Sequence, residues 1–236
     1  MPKRSAEKLY YRVLIALEKF LKFNIPATWL ELDWTRLHPW NVYKSFDEHH
    51  HLNSFRRQNL IFVINELDRQ EIVGDILECG VYKGFSSRIL LANSKIPRNF
   101  YGVDSFAGLS IPSKSDGDHW KNGDLSSPIV ITKENLSSFE GQVELYEGFI
   151  PEVFGNIKNL DREFALVHID VDLYEPTKYS LVFGWENLVL GGILFCDDYG
   201  FSTCPGATQA VDEFIRATKN VDVVIFPTGG IRLRKI

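Results

Sequence analysis

The stretch GDILECGVYKGFSS, residues 74–87, decides the fold class of this chain. Its first half is an apolar run of strand length, and glycines at positions 80 and 84 mark the turn that follows. A helical pattern begins near Ser86 and extends to about residue 92. A strand, a glycine turn and a helix in immediate succession form the start of a βαβ unit, which predicts a parallel sheet covered by helices.

The same alternation continues to the end of the chain. Further strands are predicted over residues 100–104, 143–146, 164–170 and 191–196, with helices opening at Pro176 and running over 207–218. The segments 221–226 and 231–235 flank the turn PTGG and predict an antiparallel hairpin added to the parallel sheet. The fold class is therefore α/β, a doubly wound and mostly parallel sheet of seven strands.

The first 70 residues have a different pattern and predict a helical cap, so that residues 71–236 form the sheet domain. Apolar positions recur at helical spacing over 5–22, a tryptophan-rich segment covers 26–47, and a second helix is predicted over 54–70. The aromatic segment could cover an active site or form the face of a homo-oligomer, and both alternatives stay open.

Composition limits the classes of function. The chain has 236 residues and a formal net charge of −5, which argues against a broad basic face for nucleic acid. No run of about 18 uninterrupted apolar residues is present, so a membrane-spanning helix is not expected. Two of the three cysteines lie in predicted core strands, which argues against a disulfide framework and favours a cytoplasmic location.

The glycine loop after the first strand is a candidate cofactor site. Its spacing is not the G-x-G-x-x-G of a dinucleotide-binding loop, which disfavours an NAD-dependent oxidoreductase. Glu78 could accept a hydrogen bond from a polar or cationic part of a cofactor, and the following helix offers free N–H donors. Asp104 ends the second strand, where an acid can hold two ribose hydroxyls. A bare turn and a helix N-cap are the structural alternatives; together the two features indicate an adenosine-containing cofactor.

Four carboxylates end two further strands: Asp170 and Asp172 the fourth, Asp197 and Asp198 the fifth. The carboxyl ends of parallel strands share one edge of the sheet, where ligands bind. An unpaired cluster of acids there would cost stability, and a divalent cation with oxygen ligands, best Mg²⁺, would resolve the repulsion. One or two could instead be helix N-caps, Asp172 for the helix at Pro176.

Two other residues near these acids are given structural interpretations. His168 lies inside the fourth strand and is interpreted as a core histidine with satisfied hydrogen bonds. Cys204, followed by proline and glycine, is interpreted as part of a turn rather than as a nucleophile.

In their order, the motifs ILECGVYKGFSS, GVDSFAGL, HIDVDLYEPT, GGILFCDDYGF and CPGATQAVDEF resemble the macrocin O-methyltransferase family. The resemblance covers roughly residues 54–236. It implies a Rossmann-like enzyme that uses S-adenosyl-L-methionine and Mg²⁺ to methylate sugar hydroxyls of natural products. It also implies that Mg²⁺ lowers the pKa of the acceptor hydroxyl while a neighbouring carboxylate takes its proton.

The resemblance also implies roles for individual residues. Asp172, Asp197 and Asp198 would bind the metal, with Asp172 also the base and Asp170 near the ammonium group of the cofactor. More distant catechol-type methyltransferases use the aspartate corresponding to Asp170, so which member of the pair binds metal stays open. The cofactor-binding residues would be Glu78, Gly80, Val81, Tyr82, Gly84, Ser86, Ser87, Asp104, Ser105, Gly148 and Asp170.

The acceptor does not follow from the resemblance, because residues 111–124 and the N-terminal segment should form its cavity. The main hypothesis is a small hydroxylated acceptor, a sugar or a glycosylated compound. The alternatives are a catechol-like or other diol, and a non-catalytic nucleotide-binding partner in polysaccharide biosynthesis.

Overall fold

The computed structural model describes residues 54–157 and 163–236, which lie within one compact unit that spans 51–236. The predicted helix over 5–22 and the tryptophan-rich segment fall outside the described residues. The domain boundary after residue 70 therefore stays a prediction. Among the described residues, no helix is both long and apolar enough to cross a membrane.

Helices and strands alternate along the described part of the chain. The helices are α1 (Ser54–Arg69), α2 (Phe85–Asn93), α3 (Ile129–Asn135), α4 (Phe154–Ile157), α5 (Tyr174–Glu186) and α6 (Pro205–Ala217). The strands are β1 (Asp75–Cys79), β2 (Phe100–Asp104), β3 (Val143–Glu147), β4 (Phe164–Ile169), β5 (Leu188–Cys196), β6 (Val221–Ile225) and β7 (Ile231–Lys235).

The seven strands form one sheet in the order β3-β2-β1-β4-β5-β7-β6. Strands β1 to β5 pair in parallel, whereas β7 runs antiparallel to both of its neighbours, β5 and β6. The predicted α/β fold class and the terminal antiparallel pair are confirmed. In the sheet, the last strand of that pair lies between β5 and β6.

The two faces of the sheet are covered by different helices, because successive residues of a strand point to opposite faces. Ile76 and Leu166 belong to one apolar cluster, which includes residues of α1 and α2. Leu77 and Val167 belong to the other, which includes residues of α5 and α6. All six residues of β4 are buried, as expected for a central strand covered on both sides.

Two element boundaries differ from the prediction for local reasons. Strand β5 begins at Leu188, three residues before the predicted start at Gly191. The glycine pair that suggested the start lies inside the strand, where Gly191 has a φ of +80°. The pairing of β4 with β5 also shifts register here, as at a bulge. Helix α5 begins at Tyr174, so Pro176 lies within its first turn, where a helix N–H has no intrahelical acceptor.

Candidate active site

The carboxyl ends of four parallel strands are joined by backbone hydrogen bonds. Gly80 N–H donates to Val103 O, Asp170 N–H to Cys79 O and Asp197 N–H to Ile169 O, each over 2.9 Å. These bonds align the loops that follow β1, β2, β4 and β5 at one edge of the sheet. The predicted cofactor loop and the predicted acid cluster therefore lie side by side.

Gly80 is the tightest contact between these two regions. Its φ is +89°, and a Cβ at this position would lie 1.8 Å from the carbonyl oxygen of Asp170. The sequence suggested that a glycine here lets the backbone approach a ligand. In the structure, position 80 must lack a side chain because the main chain of Asp170 occupies the space that a Cβ would need.

Asp104 fixes the glycine loop to the end of β2. Its Oδ2 accepts from Tyr82 N–H and its Oδ1 from Phe106 N–H, both over 2.7 Å. Burial raises the pKa of Asp104, and the backbone N–H groups limit the rise. Each oxygen keeps a second lone pair, so the predicted bond to ribose is compatible with this geometry and stays a prediction.

The other predicted cofactor residues surround the same loop. Gly84 is the N-cap of α2 and has a φ of +79°, and no side-chain hydrogen bond caps this helix start. Val81, Ser86 and Ser87 are buried within and after the loop. At the ends of β2 and β3, Ser105 donates to Gly108 O over 2.7 Å and Gly148 N–H to Asp104 O over 2.9 Å.

Glu78 lies beneath the loop and is fully buried. One carboxylate oxygen is 2.7 Å from Nδ1 of His168, its neighbour across the β1–β4 pairing, and the other accepts from the Ser87 hydroxyl. Burial alone would lower the pKa of His168, but Glu78 outweighs it and the pKa is raised. Glu78 and His168 thus form a buried pair beneath the loop, and the predicted direct contact of Glu78 with a cofactor stays a prediction. The interpretation of His168 as a fully satisfied core histidine is wrong in one respect, because its Nε2 has no hydrogen-bond partner among the described residues.

The four aspartates predicted to converge do lie together, and a cation from α1 lies among them. The Arg56 guanidinium places Nη2 2.8 Å from Asp170 Oδ1 and Nε 2.5 Å from Asp197 Oδ2. The same Nη2 is 3.9 Å from Asp198 Oδ1. Arg56 therefore neutralises one side of the cluster, the side formed by Asp170 and Asp197.

Asp172 lies on the other side of the cluster. Asp198 Oδ2 accepts from the backbone N–H groups of Val171, over 3.0 Å, and Asp172, over 2.8 Å. The Cys204 thiol donates to Asp172 Oδ1 over 3.5 Å. Asp172 has a φ of +61°, in the left-handed region, and its side chain is 9% exposed. Its carboxyl group thus faces Asp198 and a thiol, with no cation beside it among the described residues.

The donor atoms of the site fall into two groups, within each of which they lie no more than 4.8 Å apart. His168, Asp170 and Asp197 form one group, and Asp172, Asp198 and Cys204 form the other. The metal ligands inferred from the resemblance are divided between the two groups. Both can contribute carboxylate oxygens, the ligands that Mg²⁺ prefers.

Three of the four carboxyl groups have raised pKa values. Burial tends to raise the pKa of Asp170, but the opposing contributions, of which Arg56 is the largest, together outweigh it and the pKa is lowered. At Asp197 burial outweighs Arg56 and the pKa is raised. Burial and then the nearby Asp170 raise the pKa of Asp172 to about 7, and burial and then the nearby Asp172 raise that of Asp198 well above its ordinary value. The single guanidinium therefore leaves the cluster short of positive charge.

The donor set fits a divalent cation. Oδ1 of Asp197 is buried and has no hydrogen-bond partner among the described residues, so an oxygen ligand is available beside Asp170 and Asp198. Raised carboxyl pKa values also indicate a site where a cation would relieve repulsion.

The alternative that Asp172 caps a helix is wrong. The first N–H of α5, that of Tyr174, donates over 2.6 Å to Asp116 from the preceding loop. Asp116 is itself buried and also accepts from Ser113. This contact fixes the segment around Asp116, part of the predicted acceptor loop, at the sheet edge beside the aspartates.

Three residues of the site were not assigned to it from the sequence. Arg56 had one signal: α1 has arginines at positions 56 and 57 in its first turn and no acid there, although a helix N-terminus disfavours cations. Cys204, interpreted as a turn residue, is the N-cap residue of α6 and contacts Asp172. The buried indole N–H of Trp120 lies beside the Cys204 thiol.

The sheet order, the glycine loop and the acid edge together define a Rossmann-like methyltransferase fold. Solved structures of the O-methyltransferase NovP and of the calicheamicin methyltransferase CalS11 share it. Their TM-scores are 0.64 and 0.65, at 21% and 23% sequence identity. The matches cover 80% of this chain and 83% of NovP, and 90% of this chain and 94% of CalS11.

Residues 49–227 match the family model of the macrocin-O-methyltransferases (TylF), and the chain belongs to this family. It is 26% identical over 168 residues to the 8-demethyl-8-(2,3-dimethoxy-alpha-L-rhamnosyl)-tetracenomycin-C 4'-O-methyltransferase of Streptomyces olivaceus, covering 65% of this chain and 64% of that protein. It is 27% identical over 177 residues to the mycinamicin III 3''-O-methyltransferase of Micromonospora griseorubida, covering 67% of each. The chain thus spans about two thirds of the length of the curated relatives it matches.

Proposed function

We propose that this protein is an S-adenosyl-L-methionine-dependent O-methyltransferase that acts on a hydroxyl of a sugar or glycosylated natural product, with Mg²⁺ bound at the acid edge. The observation that supports this most is Asp172. It is a nearly buried carboxyl with a pKa of about 7, beside the predicted cofactor loop and inside a cluster of acids. A base with a pKa near neutrality suits proton removal from a hydroxyl. Membership of the family supports the class of reaction.

S-adenosyl-L-methionine, when bound, supplies a methyl group on a positively charged sulfur. The turn from Gly80 to Gly84 and the N-terminus of α2 would hold the methionine end, and Asp104 the ribose. The acids at the ends of β4 and β5 favour a cationic cofactor through their charge. Glu78 acts below the loop, through Ser87, and keeps the start of α2 in place.

A divalent cation, when bound, would lower the pKa of a coordinated hydroxyl and orient it. Asp170, Asp197 and Asp198 are the residues that we assign to it, because their oxygens surround the position of positive charge in this structure. This replaces Asp172 by Asp170 in the set inferred from the resemblance.

Asp172 is then left to act as the general base. Its carboxylate takes the proton of the acceptor hydroxyl, and Asp198, bonded to the Asp172 N–H, fixes the backbone that positions it. The segment around Asp116 and Trp120 would exclude water and line the acceptor cavity. The acceptor class rests on the relatives, whose names describe methylation of mycinamicin III and of a rhamnosyl tetracenomycin derivative.

The test compares the wild type with Asp172→Asn in two separate measurements. Calorimetry should show that the variant still binds S-adenosyl-L-methionine, with an affinity that changes far less than the rate of methyl transfer, since no cofactor group is assigned to Asp172. Methyl transfer to a panel of glycosides and catechols should fall by roughly 10²–10⁴-fold, the usual contribution of a general base.

Three other results would change the proposal. Failure of the wild type to bind S-adenosyl-L-methionine even at high concentration contradicts it as a whole. Transfer to catechols but to no glycoside would replace the acceptor class by the diol alternative. Full activity of the variant would remove Asp172 as the base.

A further inference from the structure

We propose that the Arg56 guanidinium and a divalent cation compete for one position, the space bounded by Asp170, Asp197 and Asp198. Arg56 is then a cation supplied by the chain itself, which holds the site until a metal ion displaces it. The inference rests on the proposed function only for the identity of the ion as Mg²⁺; the position itself is defined by the structure.

The Arg56 guanidinium lies within the proposed cation site, between its carboxylates, and not at its border. Its Nε and Nη2 reach carboxylate oxygens of two different strands, Asp170 after β4 and Asp197 at the end of β5. Asp198 lies next, 3.9 Å from the same Nη2. A planar guanidinium bridges several carboxylates in this way because its donors diverge in one plane.

Metal and guanidinium exclude each other at this position. Mg²⁺ needs oxygen ligands at about 2.0–2.1 Å in a near-octahedral arrangement. Asp170 Oδ1 and Asp197 Oδ2 already accept from Arg56, and a metal ion on these oxygens would be in contact with a second positive charge. An ion that takes both oxygens therefore requires the guanidinium to leave.

The resting place of Arg56 is built by more than the acids. Its guanidinium carbon lies 5.7 Å above the centroid of the Phe201 ring, in the loop between β5 and α6. Its side chain is only 17% exposed although it starts in the first turn of a helix, where the helix dipole disfavours a cation. Ring, acids and burial compensate for that unfavourable placement, and none would be needed for an arginine that only solubilises the helix.

The consequence is a link between metal binding and helix α1. Without metal, Arg56 stabilises carboxylates that would otherwise repel one another in a buried place. When an ion enters, the arginine is released and the start of α1 loses its contact with β4 and β5. The affinity of the protein for metal is therefore lowered by the strength of the arginine contacts.

The test uses Arg56→Met, which keeps the length and the apolar stem of the side chain but removes the charge. Mn²⁺ and Mg²⁺ are titrated into the full chain by calorimetry, without cofactor or acceptor, and free Mn²⁺ is counted by electron paramagnetic resonance. We expect Arg56→Met to bind Mn²⁺ at least about tenfold more tightly than the wild type, which corresponds to ~1.4 kcal/mol. Arg57→Met is the matched control, because it removes the same charge from an exposed position of the same helix turn; its affinity should equal that of the wild type.

Equal or weaker metal binding by Arg56→Met overturns the competition. If the wild type nevertheless binds Mg²⁺, the magnesium part of the proposed function stands; if neither protein binds an ion, both fail, while the cofactor titration of the wild type is unaffected. Should Arg56→Met not fold, Arg56→Lys serves in its place, because an ammonium cannot bridge two carboxylates as a guanidinium does. An affinity above that of the wild type supports competition, and an unchanged one contradicts it.

Discussion

Two groups of buried charges lie next to each other at the same end of the sheet, and they are built differently. In one, Glu78 and His168 face each other across β1 and β4, and the second carboxylate oxygen of Glu78 accepts from Ser87. In the other, three of the four aspartates share one guanidinium and Asp172 has no cation beside it among the described residues. The first is an acid matched by a base; the second has more acids than any cation in the described residues neutralises.

The difference shows that burial of charge alone does not identify a functional site. Glu78 and His168 are both fully buried, and their contact with each other gives them a structural role, although His168 Nε2 has no hydrogen-bond partner among the described residues. The aspartate group keeps a buried oxygen without a partner, on Asp197, and a carboxyl with a pKa of about 7, on Asp172. A buried group of charges that lacks enough opposite charge therefore indicates a ligand site, whereas a buried pair of opposite charges does not.

The largest effect is expected from breaking the matched group with Glu78→Gln. Removal of one partner leaves the other charge buried, which costs about 3–5 kcal/mol of the free energy of unfolding. Urea denaturation followed by circular dichroism would measure this loss. Glu134→Gln, at an exposed position of α3, is the control and should change stability by less than about 0.5 kcal/mol. A loss below about 1 kcal/mol for Glu78→Gln would show that the pair is not the structural unit described.

A smaller effect is expected from titrating the unbalanced group in the metal-free protein. The pKa of Asp172 in the folded state, about 7, lies above its ordinary value, so the folded protein holds a proton that the unfolded chain releases. The free energy of unfolding should therefore fall as the pH rises from about 4 to about 7, by roughly 4 kcal/mol at most from this group.

Chelator-treated protein unfolded in urea at a series of pH values would measure this decline. Asp172→Asn should reduce it, since the amide does not titrate. A decline of the same size in the variant would assign the titration to another group.

The smallest effect is expected from replacing Cys204, which tests the contact between its thiol and Asp172 in the unbalanced group. Its thiol donates weakly to Asp172, which stabilises the ionised carboxylate. In Cys204→Ser the hydroxyl is a stronger donor, so the pH midpoint of methyl transfer should move down by about half a unit; in Cys204→Ala it should move up. Shifts in the same direction for both variants would contradict this contact.

The sequence predicted the sheet well because each central strand is mostly apolar, as in FALVHI, and each is followed or ended by a glycine or an acid. The start of β5 was placed too late, since Gly191 is usually a turn signal and here lies inside a strand. The convergence of Asp170, Asp172, Asp197 and Asp198 followed from the rule that parallel strands end at one edge.

The contacts of Arg56 and Cys204 with the aspartates could not be predicted from the sequence. Arg56 is 114 positions before Asp170 and belongs to a helix with no motif of its own. The division of the aspartates between Arg56 and Cys204 depends on side-chain directions at the strand ends. The left-handed backbone at Asp172 contributes to this division, and no pattern of residue types specifies it.

The absence of a side chain at position 80 has a mechanical consequence. Gly80 and the carbonyl of Asp170 lie so close that the cofactor loop and the acid edge have no free space between them. The distance from a bound cofactor to the acids would thus depend on contact between two stretches of main chain, in an interior that is close-packed and hardly compressible. A displacement of one stretch would therefore strain the other. The cofactor loop and the acid edge are thus held against each other at this one main-chain contact.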